Sequence, residues 1–334
     1  MSINYEILNK APRLLMEAEL EPLQGTRFQP TGFADLGAAR YTLPDGTEML
    51  LVESAQSVAN RMELACWDEA SDDLLPELKG LPYIVVKDEK NKNLTNSILE
   101  AHRINSPYIL EGQDKSVFDS LKQDASGMEI GPVKLNELAK LIYRYDANAI
   151  LHGVFISKSE LAGGRLRLTR ALSGFIEARN VRPADSGGVK NDRVDPSGDA
   201  KQGFGNVPFH RTEFTAERIT AFFNLDLALL RGYGLGDNAT KLLIALALFK
   251  IRRFLSTGLR LRTACDLRTT GDLKVTKPEG ISVPNEDELL GECQSLIEKC
   301  KEQFAGVTTV NWKPAKKKKS KTGDEEVTGE EAAE

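Results

Sequence analysis

Residues 240–255 read Thr-Lys-Leu-Leu-Ile-Ala-Leu-Ala-Leu-Phe-Lys-Ile-Arg-Arg-Phe-Leu, a long apolar helix. Asp237 or Asn238 would be its N-cap, since a short polar side chain can accept from the first free backbone N–H groups. Gly258 separates it from the next segment. No window of about 18 apolar residues occurs, so a membrane-spanning helix is not expected. The N-terminus also lacks the basic-then-apolar layout of a secretory signal, and the expected location is the cytoplasm. The 334 residues allow one large domain or two ordinary ones with an ample core. A hydrophobic share of 41% excludes a disordered chain.

Strand and helix signals surround that helix. Residues 13–23 alternate well enough for a strand, with Leu15, Ala18 and Leu20 within it. Residues 24–40 read as an ordered loop. Pro44-Asp45-Gly46 is a turn joining hairpin arms at 39–43 and 48–52, with Gly at the position that needs positive φ. Residues 54–67 follow a helical pattern with Val58, Met62 and Ala65 as the buried stripe. Residues 81–87 predict a strand, 94–102 and 135–145 helices, and 149–157 a strand. Residues 165–181 predict another strand. Its start alternates Arg165, Leu166, Arg167, Leu168, so the two arginines share one face and the leucines the other. Residues 219–230 predict a strand and 286–304 an amphipathic helix.

The 183–208 stretch breaks the pattern with five glycines and four aspartates. It reads as a long loop, and loops of that length are usually functional or disordered. Beyond Trp312 a lysine block at 316–319 precedes an acidic tail, charge-balanced and expected to be disordered.

The formal net charge of −5 argues on its face against nucleic acid, but the sum hides its distribution. Residues 157–268 hold 19 Lys+Arg against 11 Asp+Glu, a net of +8, which leaves −13 elsewhere. Arginine dominates the basic part, and its planar fork suits phosphate and stacks on bases. Such a block marks either an anion-binding surface or a set of solvated ion pairs.

Four candidate constellations follow. On the helix that begins near Ser54, the residues Ser54, Ser57 and Arg61 share a polar stripe flanked by Gln56 and Asn60. Hydroxyls, amides and an arginine at a helix start suit a sugar–phosphate backbone, and an ordinary capped, exposed face is the plain alternative. Gly232-Tyr233-Gly234-Leu235-Gly236 sits before a helix, but its third glycine comes too early for a dinucleotide fingerprint, so it reads as a turn. Asp192 and Asp195 could hold a metal but lack the ligand pattern of a calcium loop, and no metal or cofactor is expected. Cys66, Cys265, Cys293 and Cys300 show no C-x-x-C spacing and read as reduced structural thiols. His152 lies in an apolar run and reads as structural before catalytic. His210 beside Arg211 suits phosphate contact or nothing. No hydrolase, zinc-protease or P-loop motif occurs, so an enzyme has no positive sequence argument.

Several blocks together resemble a known family. They are Leu14-Leu15-Met16-Glu17-Ala18-Glu19-Leu20, then Gln24-Gly25-Thr26-Arg27-Phe28-Gln29-Pro30-Thr31-Gly32-Phe33, then Leu51-Val52-Glu53-Ser54-Ala55-Gln56-Ser57. Two further stretches, 165–185 with its Leu-Thr-Arg-Ala-Leu-Ser-Gly-Phe-Ile-Glu-Ala-Arg core and 203–266, extend it. The chain resembles, over about residues 11–270, the RAMP-superfamily backbone subunit of type I-G (formerly I-U) CRISPR systems. Each block alone is unspecific; the combination is not.

The resemblance implies an α+β fold, an RRM-like or ferredoxin-like palm with large inserted finger and thumb elements. It implies one domain over 1–310 with a charged tail at 311–334. It implies a non-enzymatic subunit that binds crRNA in many copies, stacked into a helical filament. Each copy would grip the guide's sugar–phosphate backbone without reading sequence, so that the guide pairs with target DNA. Expected partners are further copies of the chain, the large subunit, repeat-end-binding subunits of Cascade and a recruited helicase–nuclease, with no membrane. On this reading the RNA-contacting residues are Arg27, Ser54, Gln56, Ser57, Asn60, Arg61, Arg165, Arg167, Arg170, His210 and Arg211. The 183–208 loop would be the thumb, with Val189, Val194 and Phe204 as candidates for intercalation. The competing expectation is a RAMP endoribonuclease that processes crRNA with His152 or His210 as acid/base.

Overall fold

Alternation in the first strand sets the layering. β1 (Arg13–Pro22) buries Leu14, Met16, Ala18 and Leu20 and leaves Leu15, Glu17 and Glu19 on the other face. The computed structural model describes residues 2–33 and 36–313. After the Gly46 turn (φ +85°) comes β2 (Glu48–Glu53), then α1 (Ala55–Leu64), whose Val58, Ala59 and Met62 are buried. Further along lie β3 (Leu172–Arg179), β4 (Arg182–Lys190), β5 (Val207–Thr215) and β6 (Arg218–Asp226). Then follow α2 (Asp237–Thr257), β7 (Cys265–Thr269) and α3 (Glu286–Cys300).

The main sheet runs β7–β1–β6–β3–β2, and neighbouring strands are antiparallel. Without β2, the order of β1, β3, β6 and β7 is fourth, first, third, second. One crossover carries α1 and the other carries α2. That is the ferredoxin-like arrangement, and the α+β expectation holds. α1 packs on β3, and α2 packs on α1, β6 and β7. On the opposite face the rings of Phe175 and Phe222 stack with centroids 5.2 Å apart.

α2 is apolar nearly all round because it is covered on most sides. Leu242, Leu243, Ala245, Leu246, Phe249 and Ile251 are fully buried, and α3 runs along it. Among the described residues no helix is long and apolar enough to cross a membrane. A large insertion between α1 and β3 carries the helices Leu135–Tyr145 and Ala147–His152, a ribbon of Val154–Ile156 with Leu166–Leu168, and a three-stranded sheet closed by Val307–Asn311. Cys293 and Cys300 are buried on α3, and Cys66 and Cys265 are buried elsewhere; all four are free thiols.

Several expectations need correction. The stretch 183–208 is not one loop. Its ends are the strands β4 and β5, paired without a break from Arg182↔Thr215 to Lys190↔Val207, so only the tip at 191–206 is irregular. Gly187, Gly188 and Pro208 masked the strands, because a ribbon exposed on both faces shows no apolar alternation. Residues 149–157 are not a strand throughout. Asp146 accepts from the N–H of Asn148 and Ala149 and starts a helix that Gly153 (φ +79°) ends. A short apolar run fits a buried helix as well as a strand. Residues 94–102 are not helical. Asn93–Asn96 is a strand, and the Asn96 side chain then caps a turn by accepting from Ile98 and Leu99. Residues 219–230 change from strand to helix at Asp226, which caps Leu227–Gly232. The N-cap of α2 is Gly236, one residue before the expected pair. The tail beyond Lys313 lies outside the described residues.

Candidate nucleic-acid interface

The start of α1 is built by its cap. Ser54 has extended backbone and accepts from the N–H of Ser57 (3.3 Å). Gln56 and Asn60, one helical turn apart, stand exposed, and the Gln56 amide donates to the Asn60 oxygen (3.0 Å). Arg170 reaches this turn from the strand side. It donates to the Ala55 carbonyl (3.1 Å) and to the Gln56 Oε1 (2.8 Å). On the other side of the same chain segment, Arg262 donates to the carbonyls of Gln29 (2.8 Å) and Val52 (3.3 Å) and pairs with Glu53. Residues 52–56 therefore run between two guanidinium groups.

Each guanidinium borders a concavity. Arg170 lines a cleft of about 640 Å³ with His102, Asn105, Phe155, Arg167 and Thr169. Arg262 lines a groove of about 730 Å³ with Gln29, Thr31, Arg40, Thr212 and Phe214, at the base of the β4–β5 ribbon. Past that groove, Glu213 pairs with both Arg27 (3.4 Å) and Arg211 (3.8 Å), and His210 stands 3.7 Å from Asp185. The helix start, Arg170 and Arg167 thus meet at the cleft, while Arg27 lines a separate pocket with Glu213 and, with Arg211, stands on the ribbon face opposite Thr212 and Phe214.

Not every residue expected there has a free head group: all three nitrogens of Arg170 donate within the protein, to His152, Ala55 and Gln56. Arg165 donates to four carbonyls, those of Ala162, Met128, Glu129 and Gly131, at 2.9–3.1 Å. It fastens the insertion rather than opening onto the cleft. Arg61 donates to the carbonyls of Arg260 (3.4 Å) and Leu261 (2.6 Å), which ties α1 to the chain after α2. Val189, Val194 and Phe204 lie on the ribbon and its tip, exposed, with Val194 at 95%. Asp192 organises that tip by accepting from the N–H of Val194, Asp195 and Gly205, bonds that hold its carboxyl below the ordinary value. Its oxygens are engaged in a turn.

Beneath the cleft lies a polar layer that the sequence did not reveal. Arg103 (φ +52°) forms a two-bond pair with Glu63, at 2.6 and 2.8 Å, with both side chains buried. Behind it Lys250, at 0% exposure, sets its Nζ 2.9 Å from Nε2 of His152. Burial first, then Lys250, holds His152 neutral and well below the usual imidazole range. Burial pushes the Asp146 carboxyl up to about 6. Lys250 stands two residues before Arg252 and Arg253 on the same helix, so its burial gave no distinct signal. Arg103 and Arg40 gave no signal.

The chain is thus a ferredoxin-like α+β protein with a guanidinium group on each side of the segment that enters its first long helix. Residues 14–183, half of the chain, match the family described as CRISPR-associated protein GSU0053. The chain belongs to that family, and the CRISPR-associated identity expected from its sequence blocks holds. Two solved structures are similar at a distance. One is a chain of a "CRISPR RNA-guided surveillance complex, pre-nicking", at 14% identity and TM-score 0.39, covering 86% of this chain and 89% of that one. The other is Csc2 of Thermofilum pendens, at 10% identity and TM-score 0.33, covering 91% and 80%. No curated protein matches.

Proposed function

We propose that this protein is a crRNA-binding backbone subunit of a type I-G Cascade complex, present in several copies along one guide and without catalytic activity of its own. The observation that carries this reading is the placement of residues 52–56 between Arg170 and Arg262, with a cleft on one side and a groove on the other. A polynucleotide backbone needs positive charge along its path, and Arg170 and Arg262 supply it there although their nitrogens donate to the protein itself. Gln56, Asn60, the exposed Arg167 and Arg27 and the half-buried Arg211 supply contacts that ignore base identity, as a subunit that accepts any guide requires. The β4–β5 ribbon serves as the thumb, and its exposed Val189, Val194 and Phe204 part the RNA. Target DNA is bound through the guide. Other copies, the large subunit, the repeat-end-binding subunits and a helicase–nuclease complete the complex.

The endoribonuclease alternative finds little support. His152 is buried against Lys250, and His210 is exposed and set beside an aspartate rather than within a cleft. The deciding experiment is to purify the protein from cells that carry its repeat array. Copurifying RNA of one length with repeat-derived ends is expected. RNA-free protein, or discrete cleavage of repeat RNA that a histidine substitution abolishes, would overturn the proposal.

A further inference from the structure

Phe155 and Arg167 occupy paired positions on the ribbon formed by Val154–Ile156 and Leu166–Leu168. The other paired residues, Val154, Ile156, Leu166 and Leu168, are all buried. Phe155 points the other way and is 45% exposed, with the Arg167 guanidinium carbon 4.6 Å from its ring centroid. Core packing does not account for this pair, because it adds nothing to the core. An exposed cation–π contact is weakly stabilising, at about 0.5–1 kcal/mol. What the pair does provide is flat π and guanidinium surface on the wall of the 640 Å³ cleft.

The rest of that cleft is chemically one-sided. Among the described residues no carboxylate lines it, whereas His102, Asn105, Ser157 and Arg170 do. His152 lines it too. Lys250 Nζ stands 2.9 Å from its Nε2, which leaves Nδ1 as the ring's other polar atom. That buried Nδ1 has no hydrogen-bond partner among the described residues, a costly arrangement unless something supplies one. The volume lies in the usual range for a small organic ligand. A flat aromatic–guanidinium surface, basic and neutral polar groups, an unpartnered buried ring nitrogen and no competing acid together describe a site for a nucleotide whose base is unstacked.

We propose that this cleft is a base-stacking subsite for one unpaired nucleotide of the bound RNA. The base lies against Phe155 and Arg167, and the backbone passes Arg170 toward α1. The inference rests on the RNA-binding reading above. It gives Arg167 a stacking role in place of a phosphate contact alone, and it adds Phe155, which no charge or motif argument selects.

The test uses the full chain and single-stranded RNA carrying 4-thiouridine. Irradiation is expected to crosslink RNA to the peptide that contains Phe155. In binding titrations Phe155→Leu is expected to weaken affinity about tenfold with an unchanged salt slope, since stacking releases no counterions. Phe155→Trp should bind as the wild type does, which also guards against misfolding of the leucine variant. Arg167→Gln should both weaken binding and reduce the salt slope by about one. Wild-type affinity in Phe155→Leu, or crosslinks that all fall outside this ribbon, would overturn the subsite while leaving RNA binding intact. Failure of the wild type to bind RNA would overturn the parent reading as well.

Discussion

Nζ of Lys250 lies 2.9 Å from Nε2 of His152 in the middle of the core, joining the longest helix to the floor of the cleft. The contact makes stability depend on pH. In the unfolded chain His152 takes a proton below about 6.5; in the fold, burial and Lys250 keep it neutral. The unfolded state then binds more protons, so stability is lost as pH falls below that value. Asp146 acts in the opposite sense. Its raised folded value of about 6 means the folded state takes that proton first, so its contribution grows as pH falls from about 6 toward 4. Compared with His152→Gln, the wild type should lose up to about 1.4 kcal/mol per pH unit below 6.5. Compared with Asp146→Asn, it should gain between 6 and 4. Urea titrations at several pH values measure both differences.

The Glu63–Arg103 pair should be expensive to break. Both side chains are buried and joined by two short bonds. Glu63→Ala leaves the arginine unpaired in the core and should cost about 3–5 kcal/mol. Glu63→Ala combined with Arg103→Met should recover much of that loss. Denaturant midpoints of the single and double variants provide the check.

Two neighbours on α1 should separate stability from binding. Arg61 holds two backbone carbonyls, so Arg61→Ala should lower stability by about 1–3 kcal/mol. Asn60→Ala removes an exposed amide and should leave stability within about 0.5 kcal/mol while weakening RNA binding. Its salt slope should not change, because no charge is lost. Paired thermal melts and salt-dependent titrations distinguish these outcomes.

Replacing residues 191–206 by Asn-Gly should leave the body of the fold intact. The strands that remain are fully paired, and Asn-Gly suits the turn of a two-residue hairpin. Circular dichroism and melting temperature should match the wild type. Binding of a short RNA should persist, while ordered stacking of copies on a long guide, seen by electron microscopy, should fail.

Much of this could be read from residue order because local and tertiary preferences agree. The helix expected at 135–145 ends where its apolar stripe ends. The 13–23 strand alternates because one face meets helices and the other does not. The errors share a cause. Residues 149–152 are buried on every side, which erases the periodicity that separates helix from strand. The β4–β5 ribbon is bare on both sides, which erases it again. Charge counting marks the central stretch as basic, yet it could not tell Arg165, spent on four carbonyls, from Arg167, which lies open over Phe155. That distinction depends on partners more than thirty residues away in the chain. The cleft itself joins residues from 102 to 170, and no window of sequence contains it.

The ribbon also has a mechanical consequence. Phe28 and Phe214 exchange two backbone hydrogen bonds, each 2.9 Å, where the ribbon leaves the body, and both rings are buried. Nine paired residues at about 3.3 Å each make an arm about 30 Å long. A turn of about ten degrees at Phe28 therefore moves the far end by about 5 Å, more than the spacing of stacked bases. The ribbon works as a lever whose fulcrum is a pair of phenylalanines. Where Val194 stands relative to the body is set at the fulcrum, and a small change of packing there would be read out at the tip.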